Sequence, residues 1–191
     1  MDNYAMIEKL KAVGVQFAEG LSQNQIANIE EAFQFHFPKE ISAFLSCAYP
    51  VGANFFDYRD TSPSNIRFFN EFQQNIKETF LFDIEHDADW LQYLLEEALG
   101  TFSEINTFKD AVLRALEDSP RLIPFYAHRC FLDGMDGMPI ISFWQAVDTV
   151  FYGSDFENYL ENEFLTPDHQ HKLGEISEKM RDAGIWYHII W

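Results

Sequence analysis

A chain of 191 residues carrying 31 acidic and 13 basic side chains, net charge −18, is a poor ligand for nucleic acid or an anionic membrane, because both need Lys and Arg to displace counterions. A composition 47% hydrophobic and 17% aromatic, with twenty Phe, is too apolar for disorder and sufficient for the aromatic-rich core of one domain with modest extensions. The two cysteines, Cys47 and Cys130, lie in apolar patterns and read as buried free thiols, not a disulfide framework. The N-terminal segment MDNYAMIEKLKAVGVQF has no apolar h-region, and no apolar run reaches the ~18 residues that span a bilayer; the expected compartment is the cytoplasm.

In chain order, residues 4–17 accommodate a short helix with Tyr4, Ile7, Leu10 and Val13 on one side, and Gly14 and Gly20 bound a connector. Ser22 followed by Gln25 is a capping box, in which each side chain satisfies an orphan amide of the first turn. Ile26, Ile29 and Phe33 continue that helix on one face. Pro38 restarts the chain as the first residue of a helix that buries Ile41, Phe44, Leu45 and Ala48 and ends at Tyr49-Pro50 and Gly52. Asn54 to Arg59 reads as a strand or an extended approach. Thr61-Ser62-Pro63 opens a third helix with Ile66, Phe69 and Phe72 at helical spacing.

Residues 80–91 read as a short strand running into an acidic turn, after which Leu91, Leu94, Leu95, Ala98 and Leu99 follow a helical period that stops at Gly100. Thr107 with Asp110 opens the next helix, closed by Ser119-Pro120. Leu122–Phe125, His128–Leu132, Ile140–Trp144 and Val147–Tyr152 are strand candidates, and Asp133-Gly134 and Asp136-Gly137 are turn dipeptides. Ser154 with Glu157 reads as a second capping box for a helix over 155–164. Beyond Thr166-Pro167 a polar helix places Leu173, Ile176 and Met180 on one face and stops near Gly184, and the closing IWYHIIW reads as a β-like run that adds an edge strand or covers the core. The expected architecture is α+β. A mainly antiparallel sheet over 122–152 is backed by helices 22–33, 38–48 and 155–164. Residues 1–21 are an N-terminal extension, 22–165 the domain, and 166–191 a C-terminal extension packing on it.

No catalytic constellation emerges from this pattern. His169 and His171 beside Asp168 would ligate zinc on a strand, but at the mouth of a helix they splay apart as solvated turn residues. His86, Asp87 and Asp89 have the look of ligands, with a charged turn before Trp90 as the simpler account. DGMDG at 133–137 lacks the alternating oxygen ligands and the twelfth-position Glu of an EF-hand. Arg129 would favour a thiolate at Cys130, yet no base is designated for it. There is no Gly-rich phosphate loop and no G-x-S-x-G elbow. The expectation is a non-catalytic protein with no cofactor.

Two stretches carry acids without a single Lys or Arg: Glu78 to Glu104, and Asp133 to Asp168. Acidity of this kind either serves solubility or receives a basic protein partner, whose encounter a complementary field speeds. On the second reading, Asp87, Asp89, Asp133 and Asp136 project from turns as partner-binding residues, with His128 and Arg129 lining a concave surface beside the hairpin. The structural reading of Arg129 is that it bonds a carboxylate or strand carbonyls and pins the sheet to a helix.

The stretch Arg121–Phe164 resembles the SUKH superfamily, the cell-wall assembly regulator type. The resemblance is carried by Leu122, Ile123, Pro124, His128, Arg129, Pro139, Ser142, Gln145, Asp148, Tyr152, Gly153, Tyr159, Glu163 and Phe164. IEEAFQFHFPKEISAFL is similar to the family's entry motif, FFDYRDTSPSNIRFF to its aromatic, Arg-Asp and helix-start pattern, and LFDIEHDADWL to an acidic strand leading into a Trp-bearing helix. Pro50-Val51-Gly52 stands where the family's loop has an acidic or Asn-Gly element. The resemblance covers about Ser22 to Leu165. It implies a SUKH-like α+β fold and a binding role without catalysis. Many bacterial members look like immunity proteins that neutralise a cognate toxin, often a nuclease; the alternative it implies is an interaction scaffold in a cytoplasmic regulatory complex.

Overall fold

A computed structural model describes residues 1–166 and 178–189. In chain order they form α1 (Asn3–Ala12), β1 (Gln16–Glu19), α2 (Gln23–Phe33), α3 (Lys39–Cys47), β2 (Ala48–Val51), α4 (Pro63–His86), α5 (Ala88–Leu99), α6 (Ile105–Asp118), β3 (Leu122–Tyr126), β4 (Arg129–Leu132), β5 (Ile141–Gln145), β6 (Asp148–Phe151) and α7 (Phe156–Leu160). A π-helical turn over Glu161–Leu165, a 3-10 turn over Glu178–Ala183 and α8 (Ile185–Ile189) follow. The fold is α+β. Strands β3 to β6 make an antiparallel meander in chain order, and β1 pairs with β2 in a separate antiparallel ribbon. Among the described residues no helix is long and apolar enough to cross a membrane.

The meander is a partition between two cores. Successive strand side chains point to opposite faces. Ile123, Phe125, Phe131 and Ile140 join α1, α2, α3 and α7 in a first core, while Leu122, Cys130, Leu132, Ile141 and Phe143 join α4, α5, α6 and α8 in a second. The first core is built on aromatic edges: Phe35 meets Phe37 at 4.7 Å and Phe33 meets Phe69 at 5.3 Å, both in edge-on geometry that favours the ring quadrupoles. Met6, Ile7 and Leu10 of α1 are buried there, whereas Tyr4 and Val13, expected on the same face, are exposed. In the second core Trp186 packs edge-on against Phe80 and Phe143.

Several expectations are corrected. Residues 80–86 are the last turns of α4, not a strand. The apolar triplet Phe80-Leu81-Phe82 imitates a strand locally. Ile76, Phe80, Asp83 and Ile84, however, recur at the spacing of one helical face, and all four are buried. The connector between Gly14 and Gly20 contains β1, whose partner β2 follows α3 directly; Pro50 sits opposite Phe17 and is tolerated because a two-stranded ribbon has only edge strands. Of the two readings of Asn54–Arg59, strand or extended approach, the second holds: among the described residues it makes an isolated bridge, Phe55 to Tyr126, with the Phe56 amide donating to the Phe125 carbonyl at 3.1 Å. Helix α6 starts at Ile105, before the expected Thr107. IWYHIIW supplies α8 over Ile185–Ile189, a helix where a β-like run was expected; of its two expected roles it covers the core, with Ile185, Trp186 and Ile189 buried, and does not add an edge strand over those residues. The cap of α7 is Asp155, whose carboxylate accepts the Asn158 amide at 2.8 Å; the Ser154 amide instead donates to the Asn158 side chain at 3.0 Å. Leu173 and Ile176, placed on a tail helix, lie outside the described residues.

Candidate functional site

Arg129 opens β4 with its side chain 10% exposed, and three elements converge on it. Its Nε donates to Glu163 Oε2 at 3.0 Å from the π-helical turn, and a terminal nitrogen donates to Ser142 Oγ of β5 at 2.9 Å. The guanidinium lies 3.4 Å over the Tyr152 ring, a cation–π contact, and also meets His128 Nε2. Arg129 therefore pins sheet to helix. His128, Arg129, Ser142, Tyr152 and Glu163, scattered through the sequence pattern, form one knot. Beneath it, the Tyr159 hydroxyl is buried without a hydrogen-bond partner among the described residues, and burial pushes its ionisation well up. His128 is held below its ordinary value by desolvation and then by the Arg129 charge, so it is a neutral ring beside a cation.

Cys130, the neighbour of Arg129, points to the opposite face of the sheet into the second core, and burial drives its thiol well above the ordinary range. Cys130 is thus a buried thiol, as composition implied, while Cys47 is only partly covered.

The hairpin carboxylates do not project freely. Asp133 accepts the His36 amide at 2.8 Å and the Arg121 guanidinium at 2.8 and 3.1 Å. Asp136 accepts the Lys39 amide at 2.8 Å and its ammonium at 2.6 Å, and Glu40 accepts the Gly137 amide at 2.6 Å in return. Gly134 and Gly137, at φ of 65° and 67°, make the turns that lay the hairpin on the link between α2 and α3. Asp133 and Asp136, expected at a partner surface, act first as staples between distant segments. The signal that sequence reasoning missed is their pairing with the exposed amides beside Pro38, which no local window displays.

Asp87 and Asp89 sit elsewhere, exposed at the junction of α4 and α5. Behind them along α5 come Trp90, 40% exposed, and Tyr93, 67% exposed, stacked at 5.5 Å, with Glu96 and Glu97 exposed on the same outer stripe. His86 lies against Phe82 at 4.0 Å with Nδ1 2.8 Å from the Phe82 carbonyl oxygen. The structure thus splits the expected site into three: an internal knot at His128 and Arg129, a structural hairpin at Asp133 and Asp136, and an open acidic-aromatic face at Asp87 and Asp89. Trp144, 67% exposed, lies edge-on to His128 at 5.6 Å and carries the knot out to the surface. Among the described residues no group of three or more His, Cys, Asp or Glu side chains stands in a metal-holding arrangement; Asp168, His169 and His171 lie outside them.

Comparison with protein-family models, with curated proteins and with solved structures returned no match.

Proposed function

We propose that this chain is a non-catalytic protein-binding domain of the SUKH type that acts as an immunity protein, holding a basic toxin domain, of which a nuclease is the best-suited class. The observation that carries the reading is the state of its cations. Lys11, Lys39, Lys77, Lys109, Arg59, Arg121 and Arg129 each pair with a carboxylate of the chain itself. Among the described residues most of the remaining acids face solvent, Asp83 being buried, and the whole chain sets 31 acids against 13 Lys and Arg. A field of one sign does not choose a fold, but it raises the encounter rate with an opposite surface and orients the approach. Nucleases that grip phosphate carry such an opposite surface, because phosphate binding needs Lys and Arg. The partners of Arg129, Asp133 and Asp136 support the same reading from the other side: each of these charges is met by a group of the chain itself.

Co-expression tests it. A basic nuclease-type toxin domain, taken from the chain's own gene neighbourhood where one is encoded there, is produced with and without the chain. Protection of the host and co-purification of a stoichiometric complex are expected. Killing that continues in the presence of soluble, folded chain defeats the immunity reading.

A further inference from the structure

We propose that the outward stripe of α4 is a groove that docks a basic amphipathic helix of a protein partner; this rests on the protein-binding reading above and narrows it to one surface and one kind of ligand element. Phe68, Glu71, Asn75, Glu78, Phe82 and Glu85 are all exposed on α4, at alternating steps of three and four residues. That period keeps one stripe of a helix facing one neighbour, the seam geometry of paired helices. The stripe runs about 26 Å, long enough for some five turns of a partner helix. Phe68 is 60% exposed and Phe82 51% exposed, in a chain that buries most of its other phenylalanines. A groove of about 410 Å³ lies between Phe68, Glu71, Phe72, Asn75 and Glu78.

The rings are held ready. Phe68 stacks on Phe56 at 6.2 Å, and Phe82 stacks on His86 at 4.0 Å. Rings already fixed lose less freedom when a partner covers them. Charge selects the occupant. Arg67 borders the stripe at one end and Lys109 pairs with Glu85 at the other, at 2.6 Å; Lys77, at its side, is drawn to Glu117 at 3.0 Å. Between those ends the stripe presents the Phe68 and Phe82 rings, the Glu71 and Glu78 carboxylates and the Asn75 amide, with no cation of its own. A second copy is disfavoured, since two stripes would set Glu71 and Glu78 against their like on two chains of charge −18. A helix with apolar residues at the same period and Lys or Arg flanking them meets both the rings and the carboxylates.

The test uses the whole chain and a synthetic 18-residue helical peptide of Lys, Leu and Ala with leucines every third or fourth position, beside a control peptide of equal charge with Ala for Leu. Amide chemical shifts map where each binds, and titration calorimetry gives affinity. Expected are shifts confined to α4 between Phe68 and His86, weaker binding of the control, and a loss of roughly tenfold or more in Phe68→Ser or Phe82→Ser, as for aromatic anchors generally. Glu71→Gln with Glu78→Gln weakens binding and flattens its salt dependence, and Tyr93→Ala, on α5, leaves it unchanged. Thermal melts establish that each variant is folded. Shifts spread over all acidic segments, equal binding of the control peptide, or unchanged affinity in both Phe variants overturn the groove. Self-association abolished by Phe82→Ser also overturns it, in favour of a second copy. Because this test uses no toxin, failed protection in the co-expression experiment with a mapped groove defeats immunity alone, and protection without a mapped groove defeats the groove alone.

Discussion

Arg129 and Glu163 stand 34 residues apart in sequence and 3.0 Å apart in space, with side chains only 10% and 15% exposed. A pair so placed gains Coulomb energy against a large desolvation penalty, so its net worth is smaller than the damage done by breaking it. Arg129→Ala strands Glu163 and removes the cation from the Tyr152 ring. The expected loss is about 3 kcal/mol in urea denaturation. Arg129→Ala with Glu163→Ala together cost less than the sum of the two single changes, because the double variant leaves no orphan charge. A loss below about 0.5 kcal/mol for Arg129→Ala contradicts the pinning role.

Gly153 follows β6 and faces the backbone of α7. A Cβ there would lie 2.6 Å from both the nitrogen and the Cα of Tyr159, and neither atom can swing aside as a flexible side chain can. Gly153→Ala forces strand and helix apart. Overpacking of this kind costs roughly 1–3 kcal/mol, a drop in Tm of about 2–12 °C for a chain of this size. An unchanged melting curve means that α7 can shift without loss, and the contact is then not a constraint on the fold.

Local chemistry is where the sequence was most legible. Ser22 and Gln25 exchange both bonds of the capping box, at 2.9 and 3.3 Å, since all its atoms lie within one turn. The four strands of the meander were visible in their β-branched and aromatic runs, and the two Asp-Gly turns in their need for positive φ. Long-range pairing was not visible. Nothing near Gln16 announces that its partner is Val51, and nothing near Asp133 names the His36 amide. The exposed acids were legible as composition, yet which of them face a partner and which hold the chain together depends on what the fold brings beside each.

Asp83 is buried on α4 and accepts the Val147 amide at 3.2 Å, fastening the turn between β5 and β6. Desolvation raises its pKa above the ordinary carboxylate value, and the nearby Asp87 charge adds to this, against the pull of the Val147 and Ala146 amides. A carboxyl whose folded value is raised binds its proton more tightly folded than unfolded. Its contribution to stability is therefore present below the unfolded value, about 3.9, and is lost as pH rises through the folded value. Asp83→Asn lacks that titration. The stability difference between Asp83→Asn and the natural chain should shift in favour of Asn as pH rises from about 3.5 through the folded value, read from urea midpoints across that range. A difference that stays constant with pH, or moves the other way, contradicts burial as the dominant cause.

The four carboxylates first grouped by sequence should separate under one pair of experiments. Asp133 meets two amide or guanidinium partners on segments far from its own, so Asp133→Ala leaves the His36 amide and Arg121 without their acceptor. Hydrogen bonds to charged groups contribute about 1.5–3 kcal/mol each, and a loss near 3 kcal/mol lowers Tm by roughly 6–12 °C in a chain of this length. Asp136→Ala, on the more open pair with Lys39, moves Tm in the same direction and by less, since solvent screens that contact. Asp87 and Asp89 behave differently. Asp87 makes no side-chain cap on α5, and Asp89 lies in its first turn, where a negative charge favours the helix dipole but repels the other acids of a −18 chain. These effects oppose each other, so Asp87→Asn with Asp89→Asn leaves Tm nearly unchanged at physiological salt, and any change shrinks as salt is added. The same double variant slows association with a co-purified basic partner and flattens the salt dependence of its on-rate, because rim charges act on encounter more than on the bound state. Melting curves and stopped-flow association read the two effects apart. If Asp133→Ala melts like the natural chain while Asp87→Asn with Asp89→Asn unfolds it, the assignment of staple and surface is reversed.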